Sequence, residues 1–427
     1  MIKSTFRTLT LALAVAALAA PEAQAQRTVP EVVGGGYKIK SGPVEVLVAP
    51  SRGARIRSLK HETTELLYQA DSTGSPGSMG SAFWVSPQAH WTASCRSANN
   101  NGCWPPPTAH DGSQTASLYT GGLLTDSSVS YTSAANAYTG ARLRKTLWGN
   151  SRDSSITIRY HIINTLTTKI AFAPWEITRM TTGGLTFWAK SVDDTIRGNG
   201  TSGTALIAMI KDTLGVKWHK YDSTVSLSAG TPKFWDATSE GWFARVDKSR
   251  LLYIKKFVAI PKSKKAPVNE NQIEYYTNNN TRSLIEMELQ GAFDSIAPGD
   301  SMQWDVSWYV RSLPDSIPVT ANAALLAYTR ATVAGQSVSL QPGQRQGGVA
   351  ARLTLTAGQV SIALGVAAPL TLDLVDTRGR LVERVHSGVL PEGRHAFKLP
   401  ATSRGVHYVV LRDAQARVLE SHLIPAL

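Results

Sequence analysis

From Tyr37 onward, short apolar runs alternate with polar residues and close on glycine, proline, serine or a charged turn: YKIKSG, VEVLVAP, GARIRSL and TELLYQ. A period of two marks half-buried strands, and such runs in series predict a β-meander. The same pattern continues through ARLRKTLWG, SSITIRYHII, KIAFAPWEI, WFARV, LLYIKKFVAI, QIEYYTN, SLIEMEL and MQWDVSWYV. No long stretch keeps a 3.6-residue period. The one good helix candidate is ANAALLAYTRAT, residues 321–332, rich in Ala and Leu. The chain therefore reads as all-β, with a large antiparallel supersandwich followed by a small C-terminal β-sandwich.

The pattern also sets domain limits. Residues 333–349, VAGQSVSLQPGQRQGGV, are rich in Gly, Gln and Ser and read as a linker. Beyond them, residues 350–427 alternate again through LTLDLVD, the turn Thr377-Arg378-Gly379, RLVERV, HAFKL, GVHYVVLR and RVLESHLI, which fits a small sandwich. At the other end, Lys3 and Arg7 precede an apolar stretch too short to cross a bilayer, and Ala23-Gln24-Ala25 fits a small-x-small cleavage site. Residues 1–25 read as a signal peptide and residues 26–332 as the main domain. Export places the protein outside the cytoplasm, secreted, periplasmic or on the surface of a Gram-negative-type bacterium. No later stretch is long and apolar enough to span a membrane.

Composition supports a globular chain: of 427 residues, 18% are charged and 42% hydrophobic. The net charge of +13 favours anionic partners, but export argues against nucleic acid. Much of the excess lies in residues 245–265, where Lys255, Lys256, Lys262, Lys264 and Lys265 read as a solvated loop, or else as a contact for an acidic polysaccharide or envelope surface. Cys95 and Cys103 are the only cysteines. In an oxidising compartment they are expected to form a disulfide around an Asn-Gly-rich turn, worth about 2.5 kcal/mol on the loop-entropy model. His90 and His110 flank them, but the spacing matches no common zinc pattern, so neither a metal nor a cofactor is expected.

Three stretches carry candidate chemistry. GSAFWVSPQAHW leads through the cysteine loop to CWPPP, setting Trp84, Trp91 and Trp104 close together among Pro, Gln and His. Indoles offer flat apolar faces to sugar C–H groups, and Gln88 or His90 could address hydroxyls; the alternative is a plug of aromatic rings at the end of the sheets. In KIAFAPWEITRMTTGG, strand alternation puts Trp175, Ile177 and Arg179 on one face and Phe172, Glu176 and Thr178 on the other. A Glu176–Arg179 pair would need a bulge or a turn, and Pro174 with Gly183-Gly184 makes such an irregularity plausible. In SLIEMELQGAF, Ile285, Met287 and Leu289 point inward and Glu286, Glu288 and Gln290 outward. Glu286 reads as part of a solvated face, and two carboxyls on one side of one strand cannot straddle a glycosidic bond. His61, His161 and His219 have no metal-ligand or triad spacing.

FWVSPQAHW, WPPP, APWEITR and EMELQGAFDSIAPGDSMQWDVSWYV, in that order, resemble an uncharacterised family of secreted bacterial proteins with a galactose mutarotase-like supersandwich, over about residues 35–330. The resemblance implies a carbohydrate-sized groove on a concave face. Mutarotases carry a catalytic Glu on a late strand before a Pro-Gly turn, and Glu288 matches that position. Where they place a histidine acid this chain has Ala173-Pro174-Trp175-Glu176, so Glu176 would serve only if burial raised its pKa. LTLDLVDTRGRLV, LPEGRHAF and RGVHYVVLR resemble the C-terminal sorting or Ig-like domains of type IX secretion substrates, which would make secretion machinery a partner, although ESHLIPAL lacks the basic ending of such tails.

The expected function is carbohydrate binding through Trp84, Gln88, Trp91, Trp104, Trp175 and Arg179. The alternatives are a sugar-active enzyme or a structural surface protein. The enzyme could be an epimerase with Glu288 as base, or a lyase in which Arg179 and Gln88 neutralise a uronate.

Overall fold

A computed structural model describes residues 27–69, 79–91, 119–192, 196–227, 231–267, 270–278, 283–334, 351–356, 359–364, 367–376, 381–399, 407–413 and 418–424. The expected signal peptide, the Cys95–Cys103 pair, Trp104, His110, most of the expected linker and the Thr377-Arg378-Gly379 turn lie outside the described residues. The chain divides into two compact units, Met1–Val338 and Ser339–Leu427.

Two large antiparallel sheets make up the first unit. Nine of their strands position the site: β1 (Ser81–Ser86), β2 (Ile170–Thr181), β3 (Leu185–Lys190), β4 (Val216–Lys220), β5 (Lys233–Asp236), β6 (Thr238–Val246), β7 (Leu251–Lys256), β8 (Ile273–Thr277) and β9 (Leu284–Gln290). Among the described residues the first sheet has twelve strands. It runs from Glu31–Val33 through Gly36–Ser41, Val44–Val48 and Ile56–His61 to β1, β2, β9, β8, β5 and Arg197–Gly198. The second has ten, ordered Ile210–Thr213, β4, β3, β6, β7, Ser301–Ser312, Ser155–Asn164, Ala141–Asn150, Ser128–Thr132 and Thr120–Thr125.

Alternation along each strand decides what lies between the sheets. Phe83 and Val85 of β1, Thr178 and Met180 of β2, and Ile285, Met287 and Leu289 of β9 are all buried. The apolar ones meet Tyr160, Trp188, Phe243 and Tyr253 from the second sheet in one continuous core, with Phe83 and Tyr160 4.6 Å apart between ring centroids. Helix α1 (Ala323–Val333) is the expected Ala/Leu-rich helix, starting two residues later than the pattern suggests. Asn322 caps it by accepting from Leu325 N at 2.9 Å. Leu325, Leu326 and Tyr328 cover the outer side of the second sheet, over Phe187, Trp218 and Trp242. The helix α2 (Gly200–Ala208) escaped the sequence pattern, because GTSGTALIA has too few apolar positions to show a helical period.

The bulge expected near Pro174 is not formed. β2 pairs with β1 and with β9 in unbroken register. Proline has no N–H to give to a ladder, and Pro174 sits where one edge of β2 changes partner, between Phe172↔Asp294 and Trp175↔Gln290. Its carbonyl still accepts from Gly291 N at 2.9 Å. A side chain at Gly291 would press on Pro174, with a Cβ only 2.6 Å from its ring, so glycine is required for that approach.

The second unit has two small antiparallel sheets. Ala351–Thr356, Gln359–Leu364 and Gly393–Lys398 form one; Leu381–Leu390, Ala368–Asp376, His407–Asp413 and Val418–Ile424 form the other. Val360, Ile362, Leu370, Leu372, Val409 and Leu411 are among the residues of its core. The sequence expectation of an all-β molecule, a large antiparallel supersandwich plus a small sandwich, describes what is formed.

Candidate functional site

Register sorts the charged residues of β2 into two environments. Glu176 stands opposite Phe83 and Leu289 and faces the second sheet. There its carboxylate meets Lys255 Nζ of β7 at 2.5 Å and accepts from Ser81 Oγ at 2.7 Å and from Thr178 Oγ1. Lys255 also donates to the Met287 carbonyl. Burial pulls the Lys255 ammonium below the usual lysine range, and the Glu176 carboxylate opposes that shift. A second ion pair, Lys217–Asp236 at 2.9 Å, bridges the same two sheets, with Trp188 Nε1 donating to Asp236 at 2.7 Å. Burial pushes the Asp236 carboxyl up against the pull of Lys217.

These pairs correct two readings. Lys255 does not belong to a solvated basic loop: it shares the inward face of β7 with Tyr253 and, like Arg245 on β6, is buried. Glu176, buried between the sheets, pairs with Lys255 and not with Arg179, which pairs with Glu286.

The outward face of the first sheet gathers the other candidates. Trp175 of β2 lies between Trp84 of β1 and Gln290 of β9 in the ladder, and Arg179 lies beside Glu286. Trp84, Trp91 and Trp175 pack as a triad with centroids 5.2 to 5.9 Å apart. Trp91 Nε1 donates to Val85 O at 2.7 Å. Trp175 Nε1 donates to Glu288 Oε2 at 2.8 Å. Arg179 Nε donates to Glu286 Oε1 at 2.7 Å, while its guanidinium carbon stands 5.6 Å from the Trp84 ring. Glu286, expected on a solvated face, is thus an ion-pair partner, because β2 and β9 run side by side.

Sequence reasoning missed the residues that complete this cluster. Lys233 Nζ of β5 lies 2.5 Å from Glu274 and 3.0 Å from Glu288, and 5.0 Å from the Trp175 ring centre. Gln290 Nε2 donates to Glu274 and to Glu270. Glu270 in turn takes the Ser86 hydroxyl and, at 3.4 Å, the Gln88 backbone N–H. Trp235 carries the Arg197 guanidinium 4.1 Å over its ring. Burial opposes the Lys233 charge, but Glu274 and Glu288 together hold its ammonium above the usual lysine range. Burial pushes the Glu274 carboxyl well up, with Lys233 opposing and Glu288 and Glu270 adding to the rise. Glu286 is raised by burial against the pull of Arg179. The signal for Lys233 and Trp235 lay in KFWD, a strand with a polar-aromatic face, but only sheet order brings it to β9.

Trp84, Trp91 and Trp175 do not line an open groove. Trp84 is 2%, Trp91 0% and Trp175 4% exposed, and Arg179 and Glu288 are likewise buried. The cluster meets water at its edge, through Lys233, Glu286, Tyr276, Arg197, Gln88 and His90. Chemically, the arrangement is a rigid set of carboxylates and cations in mutual contact, backed by indoles. Both oxygens of Glu288 are engaged by Lys233, one also by Trp175, which suits holding side chains in place better than abstracting a proton.

Fold and site together define an all-β supersandwich protein with an aromatic and ionic cluster on the outward face of its larger sheet. The chain belongs to the family described as a domain of unknown function, DUF4380, whose model matches residues 45–311. No curated protein matches the chain. Similar solved structures include a putative aldose 1-epimerase from Escherichia coli K12, at 12% identity and TM-score 0.44, covering 65% of this chain and 99% of that one. A galactose mutarotase-like protein from Lactobacillus casei ATCC 334 has 12% identity and TM-score 0.44, with 65% and 100% covered. A putative aldose 1-epimerase from Klebsiella pneumoniae has 11% identity and TM-score 0.45, with 72% and 86% covered.

Proposed function

We propose that this protein binds carbohydrate at the water-facing edge of the outward cluster, around Lys233, Tyr276 and Trp235, without turning it over. The observation that carries this reading is the Glu274–Lys233–Glu288 contact beside Trp175 and Trp235. It sets fixed polar groups next to aromatic rings, the combination that recognises sugar hydroxyls and C–H faces together. Trp84, Trp91 and Trp175 form the layer beneath, fixing Arg179 and Glu288, while Gln88 reaches the edge through Glu270.

Charge favours a neutral sugar. Among the described residues, Arg179, Arg197 and Lys233 each stand beside acidic side chains of Glu270, Glu274, Glu286 and Glu288, so the cluster has no excess of cations despite the net charge of +13. A uronate would have to take a cation from a carboxylate already paired to it. Export and a sorting role for residues 350–427 belong to the same proposal and rest on the sequence features described above.

A second reading, a structural surface protein, draws support from the burial of the indole triad. A glycan array followed by calorimetry separates the two. The binding reading expects neutral oligosaccharide hits whose affinity falls about tenfold in Trp235→Ala, the order of one lost aromatic contact. No hit among neutral or acidic glycans supports the structural reading; hits confined to uronates contradict the neutral-sugar argument.

A further inference from the structure

A different set of polar side chains lies between the two sheets, away from the outward face. His219 of β4, Thr186 of β3 and Arg245 of β6 are successive cross-strand neighbours on the inner side of the second sheet. Tyr275 of β8 faces them from the first sheet, its ring 4.5 Å from that of His219. All four are buried. Arg245 Nη2 donates to the Thr181 carbonyl at 2.8 Å, but its Nε and Nη1 have no protein partner. The Tyr275 hydroxyl is also without a partner, whereas the His219 imidazole has the Leu206 backbone within hydrogen-bonding reach.

Buried polar atoms left together in this way are rare and costly, and a buried charge without a counter-ion is more so. Lys255 and Lys217, on nearby strands of the same face, each have a carboxylate; Arg245 has none among the described residues. Asp247, two positions along, acts on the guanidinium only through space and accepts from Ser249 N and Leu251 N. The unmatched groups of Arg245 and Tyr275 are donors. Burial, with Arg245 nearby, moves the His219 pKa down to about 3, so the imidazole is neutral and adds no second positive charge. Water could accept from these donors but would leave the guanidinium charge unbalanced.

We propose that Arg245 and Tyr275, beside a neutral His219, hold a small inorganic anion of chloride size inside the supersandwich, as a structural counter-ion. The site is independent of the carbohydrate reading. Two measurements test it. Crystals of the full chain grown in bromide are expected to show an anomalous peak within hydrogen-bonding distance of Arg245 Nε and Nη1. In thermal melts at constant ionic strength, replacing gluconate by chloride is expected to raise the midpoint by several degrees, as for any ligand bound only by the native state, and Arg245→Met should lose that rise. Should Arg245→Met not fold, Tyr275→Phe takes its place and is expected to weaken the chloride dependence. Water alone at the guanidinium, or the same chloride dependence in wild type and variant, overturns the proposal. Bromide density without a chloride-dependent midpoint marks an adventitious ion and overturns it too.

Discussion

At the scale of residues, Glu274 shows how burial and neighbouring charge determine a proton. One ammonium, Lys233, stands between two buried carboxylates, and ionising both leaves a net negative charge in a poorly solvated place. Glu274 therefore holds its proton above the ordinary carboxyl range. The sign follows: a folded-state pKa raised above the unfolded value of 4.5 gives stability that is present below 4.5 and lost as pH rises through the folded pKa. Glu274→Gln keeps the shape and removes the titration. Urea denaturation at stepped pH is expected to show a shallower loss of stability above pH 4.5 in this variant than in the wild type; parallel curves would contradict the assignment.

At the scale of elements, the two sheets are joined by buried ion pairs as well as by apolar contact. Removing one partner of such a pair strands the other charge and costs about 3–5 kcal/mol, while replacing both by apolar residues of similar volume is often neutral. Lys255→Met is expected to destabilise by that amount, and Glu176→Leu combined with Lys255→Met to recover most of it, as read from denaturation midpoints. If the single and double variants were equally unstable, the pair would not be what matters at that position.

The same strands show how far the sequence could be read. A period of two was enough to place Glu286, Glu288 and Gln290 together, and to separate Trp175 and Arg179 from Glu176, because side-chain direction is local. Partners were not legible. Arg179 meets Glu286 across 107 positions and Trp175 meets Glu288 across 113, and the order β2, β9, β8, β5 that brings Lys233 to the cluster is a property of sheet pairing. Lys255 misled for a related reason: five lysines close in sequence suggest a solvated run, yet alternation turns one of them into the core. Burial of the indole triad was equally out of reach, since a strand pattern says which face a ring takes and not what covers that face.

At the scale of the whole molecule, two compact units each keep their own core, and the carbohydrate proposal concerns the first alone. No helix among the described residues is long and apolar enough to cross a membrane. Among the tryptophans of the first unit, Trp175 and Trp235 lie at the outward cluster, and Trp218 and Trp242 lie beneath α1 on the other sheet. That separation allows one direct test. In two-dimensional NMR of the indole N–H groups, titration with the best neutral glycan from the array is predicted to move the Trp175 and Trp235 signals and leave Trp218 and Trp242 in place. Unmoved Trp175 and Trp235 signals at saturating glycan, or equal shifts in both settings, would contradict a carbohydrate site on the outward face.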